Sequence, residues 1–359
     1  MIIWHVPENG TRENLYGALL VNALRARGVF VRELPYRHLF AWPALSERPD
    51  AIHFEFVDPY ILPHVKSWGL IRAMVKGVLF LAQCVVLRLA GVRLCWTSHD
   101  IGTHEKRLWR IEWVFTTLFA RLAHGFLTHT AYAKDRAVAV FRLGHKARLV
   151  RHVPHPSYAG AYPDEVTPEA ARAALGVAPE ALVFLCLGQM RPYKRLGGVV
   201  DAFKSAFPEG AGAVLIVAGS ETGHGVGDSL VTRAGGRSDI RIIQSHVPDW
   251  DLQIYYRTAD FAVLNYAVPT SGAAVLAMGF GRAVVAPRRG GLTDVLDEKG
   301  AVFFDGNSDE GLKRAFLAAR DRRSEASEMG KHNAAKSSAW SWDALADELL
   351  AMYRRDAGP

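Results

Sequence analysis

The chain has 359 residues, half of them apolar, with 43 Lys+Arg against 36 Asp+Glu. That length exceeds one ordinary domain and suits two of about 150–200 residues, and the composition excludes disorder and fibrous repeats. Three cysteines, Cys84, Cys95 and Cys186, stand apart with no CxxC spacing, which argues against a disulfide framework or a zinc site and for a reducing compartment.

The charge is unevenly placed. Residues 1–157 hold 21 basic and 11 acidic side chains, leaving 22 and 25 for the rest, and 11 of the 14 histidines fall in the same first part. A basic half implies an anionic partner: nucleic acid, a phosphorylated substrate or an acidic membrane surface. Met1 to Val6 reads as a strand and lacks the charged start of a signal peptide. The longest apolar stretch, Gly77 to Leu87, is broken by Gln83 and closed by Arg88. It is too short to span a bilayer, so the expectation is a protein that sits on a membrane without crossing it.

In chain order, Ile2–Val6 reads as a strand and Asn14–Arg27 as a helix stopped by Gly28. Val29–Leu34 and Asp50–Phe56 read as strands, the latter with Ile52, Phe54 and Phe56 alternating against His53 and Glu55. Trp68–Leu89 reads as a long apolar helix, Val92–Thr97 as a strand, Leu108–Ala123 as a helix and Gly125–Thr128 as a strand. Pro154, Pro156, Gly160 and Pro163 then suggest a hinge over Val153–Asp164, and Thr167 caps a short helix opening on Pro168-Glu169. The second half repeats the pattern. Its strands are Leu182–Leu187, Ala213–Ala218, Ile240–Gln244, Phe261–Asn265, Ala283–Ala286 and Ala301–Phe304. Its helices are Leu196–Phe207, Asp249–Thr258, Ala273–Phe280 and Glu310–Arg320, with an amphipathic helix over Trp342–Arg355. Alternating strands and helices predict an α/β protein with two doubly wound parallel sheets, and a ligand at strand C-termini.

Two segments carry the chemistry. Leu185 to Arg195 runs a buried strand into Gly188 and then Arg191, Lys194 and Arg195; a glycine lets a ligand approach the backbone, and the cations offer charge-assisted bonds to phosphate. Solvated cations at a loop are the blander explanation. Tyr266 to Pro287 runs a strand into the small turn Thr270-Ser271-Gly272 and then an apolar helix whose free N–H groups suit a diphosphate, although a serine cap needs no ligand.

Together with Val217-Ala218-Gly219, Ala259-Asp260, Asn265-Tyr266 and Gly290-Gly291-Leu292-Thr293-Asp294-Val295, these segments resemble the donor-binding domain of the GT-B glycosyltransferases. The likeness is to bacterial exopolysaccharide transferases related to glycosyltransferase family 4. It implies two Rossmann-like domains whose parallel sheets face across a cleft. Residues 1–157 would form the acceptor-binding, membrane-facing domain and 158–340 the donor-binding domain, with 341–359 a C-terminal helix packing back on the first. It implies donor contacts from Gly188, Arg191, Lys194, His246, Tyr266, Thr270, Ser271 and Gly272. The retaining members carry two glutamates eight residues apart; Val268 and Leu276 stand in those places here, neither able to hydrogen-bond a sugar, which points towards inversion.

An inverting displacement needs a general base. The densest cluster is Thr97 to Glu105, which resembles the histidine loop of the same transferases and offers His99, Asp100 and Glu105, with His104 beside them; a helix-capping loop is the alternative. Glu8, Asn9 and Gly10 resemble the acceptor-side loop, and His155 belongs to a Pro-His pair seen in the same subgroup. Lys66, Arg72, Lys76, Arg88 and Arg93 decorate the apolar Trp68–Leu89 and suggest a peripheral helix on an anionic membrane, against a buried helix with snorkelling cations. The expectation is a metal-independent enzyme without a cofactor, peripheral on the cytoplasmic face of the membrane. It moves a sugar from a UDP- or GDP-sugar to a lipid-linked or oligosaccharide acceptor and has no nucleic-acid partner. A catalytically silent subunit of the same fold and a sugar-nucleotide epimerase are the competing readings.

Overall fold

The computed structural model describes residues 1–7, 15–37, 39–62, 69–99, 101, 108–221, 223, 225–266, 272–306 and 308–354. The chain divides into two units: residues 1–155 with 341–359, and residues 156–340.

The first unit runs β1 (Ile2–Val6), α1 (Leu15–Ala26), β2 (Phe30–Glu33), α2 (Ala41–Glu47), β3 (Ala51–Phe54), α3 (Asp58–Ile61), α4 (Gly69–Leu89), β4 (Arg93–Thr97), α5 (Trp109–Leu122), β5 (Gly125–Thr128), α6 (Ala131–Val140) and β6 (Val150–His152). The second runs α7 (Pro168–Ala174), β7 (Leu182–Leu187), α8 (Leu196–Ala206), β8 (Ala213–Ala218), α9 (Val226–Ala234), β9 (Ile240–Ile243), α10 (Leu252–Thr258), β10 (Phe261–Val263), α11 (Gly272–Gly279), β11 (Ala283–Pro287), α12 (Leu292–Val295), β12 (Ala301–Phe304), α13 (Asp309–Asp321) and α14 (Ala326–Ser338). The last helix, α15 (Trp342–Tyr353), belongs to the first unit and packs on α1.

Both sheets have six parallel strands. The first has the order β2-β1-β3-β4-β5-β6 and the second β12-β11-β10-β7-β8-β9. Each therefore reverses direction once, between β1 and β3 and between β7 and β10. At such a reversal the flanking loops part and leave a crevice at the strand C-termini, where α/β proteins bind ligands. The expected doubly wound α/β architecture is present in both units.

The strands form where apolar runs are buried on both faces, as a parallel sheet requires: β3, β5, β10 and β11 are buried throughout. Helix starts follow capping chemistry. Thr130, Thr167, Ser308 and Ser341 each accept a hydrogen bond from a first-turn N–H of α6, α7, α13 and α15, satisfying a donor the helix leaves unpaired.

Helix α4 corrects one expectation, that its apolar stretch is too short to span a bilayer. It is continuous over 21 residues and, by length and composition alone, apolar enough to cross a membrane; Arg72, Lys76 and Gln83 do not interrupt it. One face nevertheless packs into the unit's core through Ala73, Gly77, Phe80, Cys84 and Leu87. Its cations are mostly engaged elsewhere. Lys76 donates to the carbonyls of Pro59 and Leu62, Arg88 to Leu122, and Arg93, on β4, to Met352. Arg72 is exposed, and Lys66 lies outside the described residues.

Candidate functional site

In the first unit the polar groups gather where the sheet reverses. His5 and His53 are paired in register on β1 and β3, and their rings stack at 5.6 Å. Glu55 follows β3 on the same face as His53, two residues on, and is 4% exposed. His99 follows β4, His129 follows β5 and His155 follows β6. In sequence, His53 and Glu55 alternate with the apolar Ile52, Phe54 and Phe56. Both are buried, because α15 and its neighbours cover that face as fully as the other.

Glu55 is the centre of the arrangement. Its Oε1 lies 3.0 Å from His5 Nε2 and 3.1 Å from His53 Nε2, and its Oε2 lies 2.6 Å from His99 Nε2. Burial alone would raise the carboxyl's pKa, but the bonds from His5, His53 and His99 outweigh it and hold Glu55 well below the usual carboxylate range. Glu55 is thus a buried carboxylate that accepts three imidazole N–H groups, which fixes the tautomers around it. His53 is pushed down by burial, only partly offset by Glu55. Tyr353 stands 2.7 Å from His53 Nδ1 and Thr97 Oγ1 2.9 Å from His53 Nε2.

A second arm faces His99. His129 Nδ1 lies 3.0 Å from the Val153 carbonyl, which can only accept, so Nδ1 carries the proton and Nε2 accepts from the Tyr16 hydroxyl at 2.9 Å. Burial, then His155 and His99, keep His129 neutral, well below the ordinary histidine value. The Tyr16 ring meets His99, His129, His155 and Trp342, and Phe56 stacks on His99 at 5.0 Å. Unlike His5 and His53, His99 is partly open to solvent, 17% against none. An exposed imidazole tied at one nitrogen to a buried carboxylate is suited to taking up a proton, since the carboxylate orients the ring and stabilises the imidazolium that forms.

In the second unit the reversal lies between β7 and β10. Gly188 ends β7 at φ +109°, and a Cβ there would lie 3.2 Å from Lys194 Nζ; the glycine makes room for the lysine. Gly219 after β8 passes so close that a Cβ would sit 2.3 Å from the Gly188 carbonyl oxygen. Lys194 stands 6.0 Å over the Tyr266 ring, which follows β10. Desolvation pushes the Lys194 pKa down to about 8, a small rise from Cys186 being offset by Arg191, and no carboxylate pairs with it among the described residues. Arg191 is nearby and bonds Gln189. Asn265 donates to the Arg195 carbonyl and ties the segment after β10 to the start of α8.

The structure thus brings Gly188, Arg191, Lys194 and Tyr266 to one place. Gly272 opens α11. His246 is exposed beyond β9, beside Asp249. Glu8, Asn9, Gly10, Asp100, His104, Glu105, Thr270 and Ser271 lie outside the described residues, as does Val268; Leu276 is partly buried on α11. His5, Tyr16, His53, Glu55, His129 and Tyr353 were not singled out from sequence. The available signal was positional: a histidine at or just past the end of β1, β3, β4, β5 and β6. Among the described residues, no group of three His, Cys, Asp or Glu side chains is arranged to hold a metal ion.

Residues 181–321 match the family model described as "Glycosyl transferases group 1". A D-inositol 3-phosphate glycosyltransferase of Segniliparus rotundus is 31% identical over 192 residues, 52% of this chain and 42% of that protein, so the alignment spans under half of that relative. Among solved structures, Anabaena HepE in complex with UDP and glucose has a TM-score of 0.73 at 15% identity, over 98% of both chains. Sucrose-phosphate synthase from Thermosynechococcus elongatus has 0.72 at 16% identity, over 99% of this chain and 98% of that one. The chain therefore has the fold of the GT-B glycosyltransferases, with the group 1 match confined to residues 181–321.

Proposed function

We propose that the chain transfers a sugar from a UDP- or GDP-sugar to a lipid-linked saccharide acceptor in surface or exopolysaccharide assembly, with inversion. The observation that carries this is Lys194: an ammonium desolvated at the sheet reversal, without a carboxylate partner among the described residues, inside the segment that matches a transferase family. Burying an uncompensated cation is costly, and an anionic ligand recovers that cost. A nucleoside diphosphate supplies the anion. In this reading the second unit binds the donor diphosphate with Lys194 and Arg191 and stabilises it as leaving group. The first unit supplies the base: His99 takes the acceptor hydroxyl proton as the acceptor oxygen bonds the anomeric carbon and the bond to the diphosphate breaks. Glu55 holds the ring and balances the imidazolium. Inversion is supported by Leu276 and Val268 in place of glutamates.

A lipid-linked acceptor and a membrane surface are supported by α4. Its outer face exposes Leu70, Ile71, Met74, Val75, Val78 and Leu89, a run of apolar side chains of the kind an interfacial helix turns to a membrane. Trp42 and Trp109, on helices packed against or beside it, are also exposed.

The deciding experiment is calorimetry with UDP and GDP and a panel of their sugars. Lys194→Ala should weaken diphosphate binding by about 10- to 100-fold, the loss of one charge-assisted contact of about 1.5–3 kcal/mol. Equal affinity in the variant and the parent chain would remove the assignment of the donor site.

A further inference from the structure

We infer that the C-terminal helix positions His99: the Tyr353 hydroxyl fixes the proton on His53, and His53 in turn fixes which Glu55 oxygen is left for His99. The inference rests on the reading of His99 given above and deepens it.

The argument is one of proton placement. Tyr353 is the last residue of α15, is 1% exposed, and lies 2.7 Å from His53 Nδ1. On its other side the same ring presents Nε2 to Glu55 Oε1 at 3.1 Å. A carboxylate only accepts, so Nε2 carries the proton; Nδ1 is then a lone pair, and the phenol must donate to it. His5 Nε2, at 3.0 Å, also bonds Oε1. Oε1 is thereby occupied by two N–H groups, and Oε2 is left to His99 at 2.6 Å. Were the His53 proton on Nδ1, two lone pairs would meet at 3.1 Å and push the carboxylate away from its place. Thr97, at 2.9 Å from His53 Nε2, adapts to either arrangement because a hydroxyl both donates and accepts. Among the described residues, Tyr353 is the partner of His53 that favours the arrangement from the far side of the ring.

The helix is anchored as a positioning element would be. Arg27, just past the end of α1, pairs with Asp343 and Asp347, Arg151 with Glu348, and Arg93 donates to the Met352 carbonyl. Met352 also fits against Gly125, where a Cβ would come within 2.9 Å of its Cγ. Packing alone would be served by a phenylalanine at 353. The hydroxyl is needed only for the bond to His53. Tyr353 is therefore a positioning residue, separated from His99 by two residues, His53 and Glu55.

The test compares the full-length chain with Tyr353→Phe, using long-range proton–nitrogen NMR of the histidine side chains and steady-state transfer. Tyr353→Phe should convert His53 from a single Nε2–H form to a mixture, and shift the His99 ring nitrogens. It should also lower kcat by about tenfold with donor KM within twofold. Arg27→Ala, which loosens α15 from outside without touching the histidines, should shift the same resonances less, and serves if the first variant does not fold. Unchanged His53 and His99 resonances in both variants overturn the inference. Altered resonances in a parent chain that transfers no sugar uphold the positioning and overturn the transferase reading, so the two failures are distinguishable.

Discussion

Acid should destabilise the first unit well before the second. His53 and His129 are buried and held neutral, their pKa values pushed below the ordinary 6.5 by burial, with His155 and His99 adding to the effect on His129. In the unfolded chain both titrate near 6.5. Between the folded and unfolded values the unfolded state binds more protons, so stability is full above about pH 7 and falls as the pH drops below 6.5. Each such histidine can lose at most about 1.4 kcal/mol between pH 7.5 and 5.5, so the pair removes up to about 3 kcal/mol, against a typical domain stability of about 5–15. His124 is pushed down to about 4, by burial and then Arg88 and Arg93, and its Nδ1 accepts the Leu94 N–H. It is half-exposed and adds less. The second unit has no comparable histidine among its described residues. Its Asp297 is held down at about 2 by Lys336 and His332 against the cost of burial, and an acid of this kind loses its contribution only as the pH falls below about 3.8. Hydrogen exchange read by mass spectrometry at pH 7.5, 6.5 and 5.5, corrected for intrinsic rates, measures opening free energies peptide by peptide. Peptides covering β3 and β5 should lose up to about 3 kcal/mol while those covering β7 and β8 hold. Equal losses in both units, or none in β3 and β5, would refute the assignment of neutral buried imidazoles.

Three further outcomes are expected. Glu55→Gln replaces one of two acceptor oxygens by a donor, so at least one imidazole N–H meets another N–H. Urea unfolding should show a loss of about 2–4 kcal/mol, and nucleotide-release assays a fall in kcat of about 10²- to 10⁴-fold; retained turnover would remove Glu55 from the mechanism. Donor affinity should fall as the pH rises through about 8, where the Lys194 ammonium deprotonates, by up to about tenfold per pH unit; Lys194→Arg should flatten the profile measured by calorimetry from pH 7 to 9.5. Ile71→Glu with Val75→Glu on the outer face of α4 should change stability by less than about 0.5 kcal/mol each and abolish co-sedimentation with phosphatidylglycerol vesicles, an effect that must be absent if α4 does not touch lipid.

Much of the fold was legible because parallel strands buried on both faces are written as apolar runs: Leu182–Leu187, Ala213–Ala218 and Ala301–Phe304 were read with the bounds they have. What was missed had no such signature. Helix α14 meets its neighbours through Ala326, Met329, Gly330, Asn333 and Ser337. A Cβ on Gly330 would sit 2.0 Å from the Gly281 carbonyl oxygen, and Asn333 donates to the carbonyls of Arg282 and Gly300. A helix that docks by close backbone approach needs small residues, and small residues carry no hydrophobic period. The short helices α2 and α3 had too few turns to show one. The Glu55 cluster was hidden differently. Apart from His53 and Glu55, two residues apart, its bonded pairs are 44 to 300 positions apart along the chain, and no local pattern reports that Tyr353 will cap His53. Strand alternation at His53 and Glu55 normally marks a solvated face, and only the packing of α15 makes it an interior one.

The two sheet reversals explain why costly groups sit where they do. A buried carboxylate with three imidazoles, and a desolvated ammonium without a carboxylate partner among the described residues, are each worse for stability than apolar side chains of like volume. Folding alone gives no reason for either. Both occur at the point in their own sheet where the loops part, His5, His53 and Glu55 at β1/β3 and Lys194 with Tyr266 at β7/β10. The first set is paired internally around Glu55, with only His5 Nδ1 left without a partner among the described residues, and leaves one imidazole, His99, partly open. The second holds a cation that no carboxylate pairs among the described residues. A group poised to take a proton and a group poised to take an anion are the two requirements of displacing a diphosphate by a hydroxyl, and they divide between the units as the proposed reaction does: acceptor chemistry with the first, leaving group with the second.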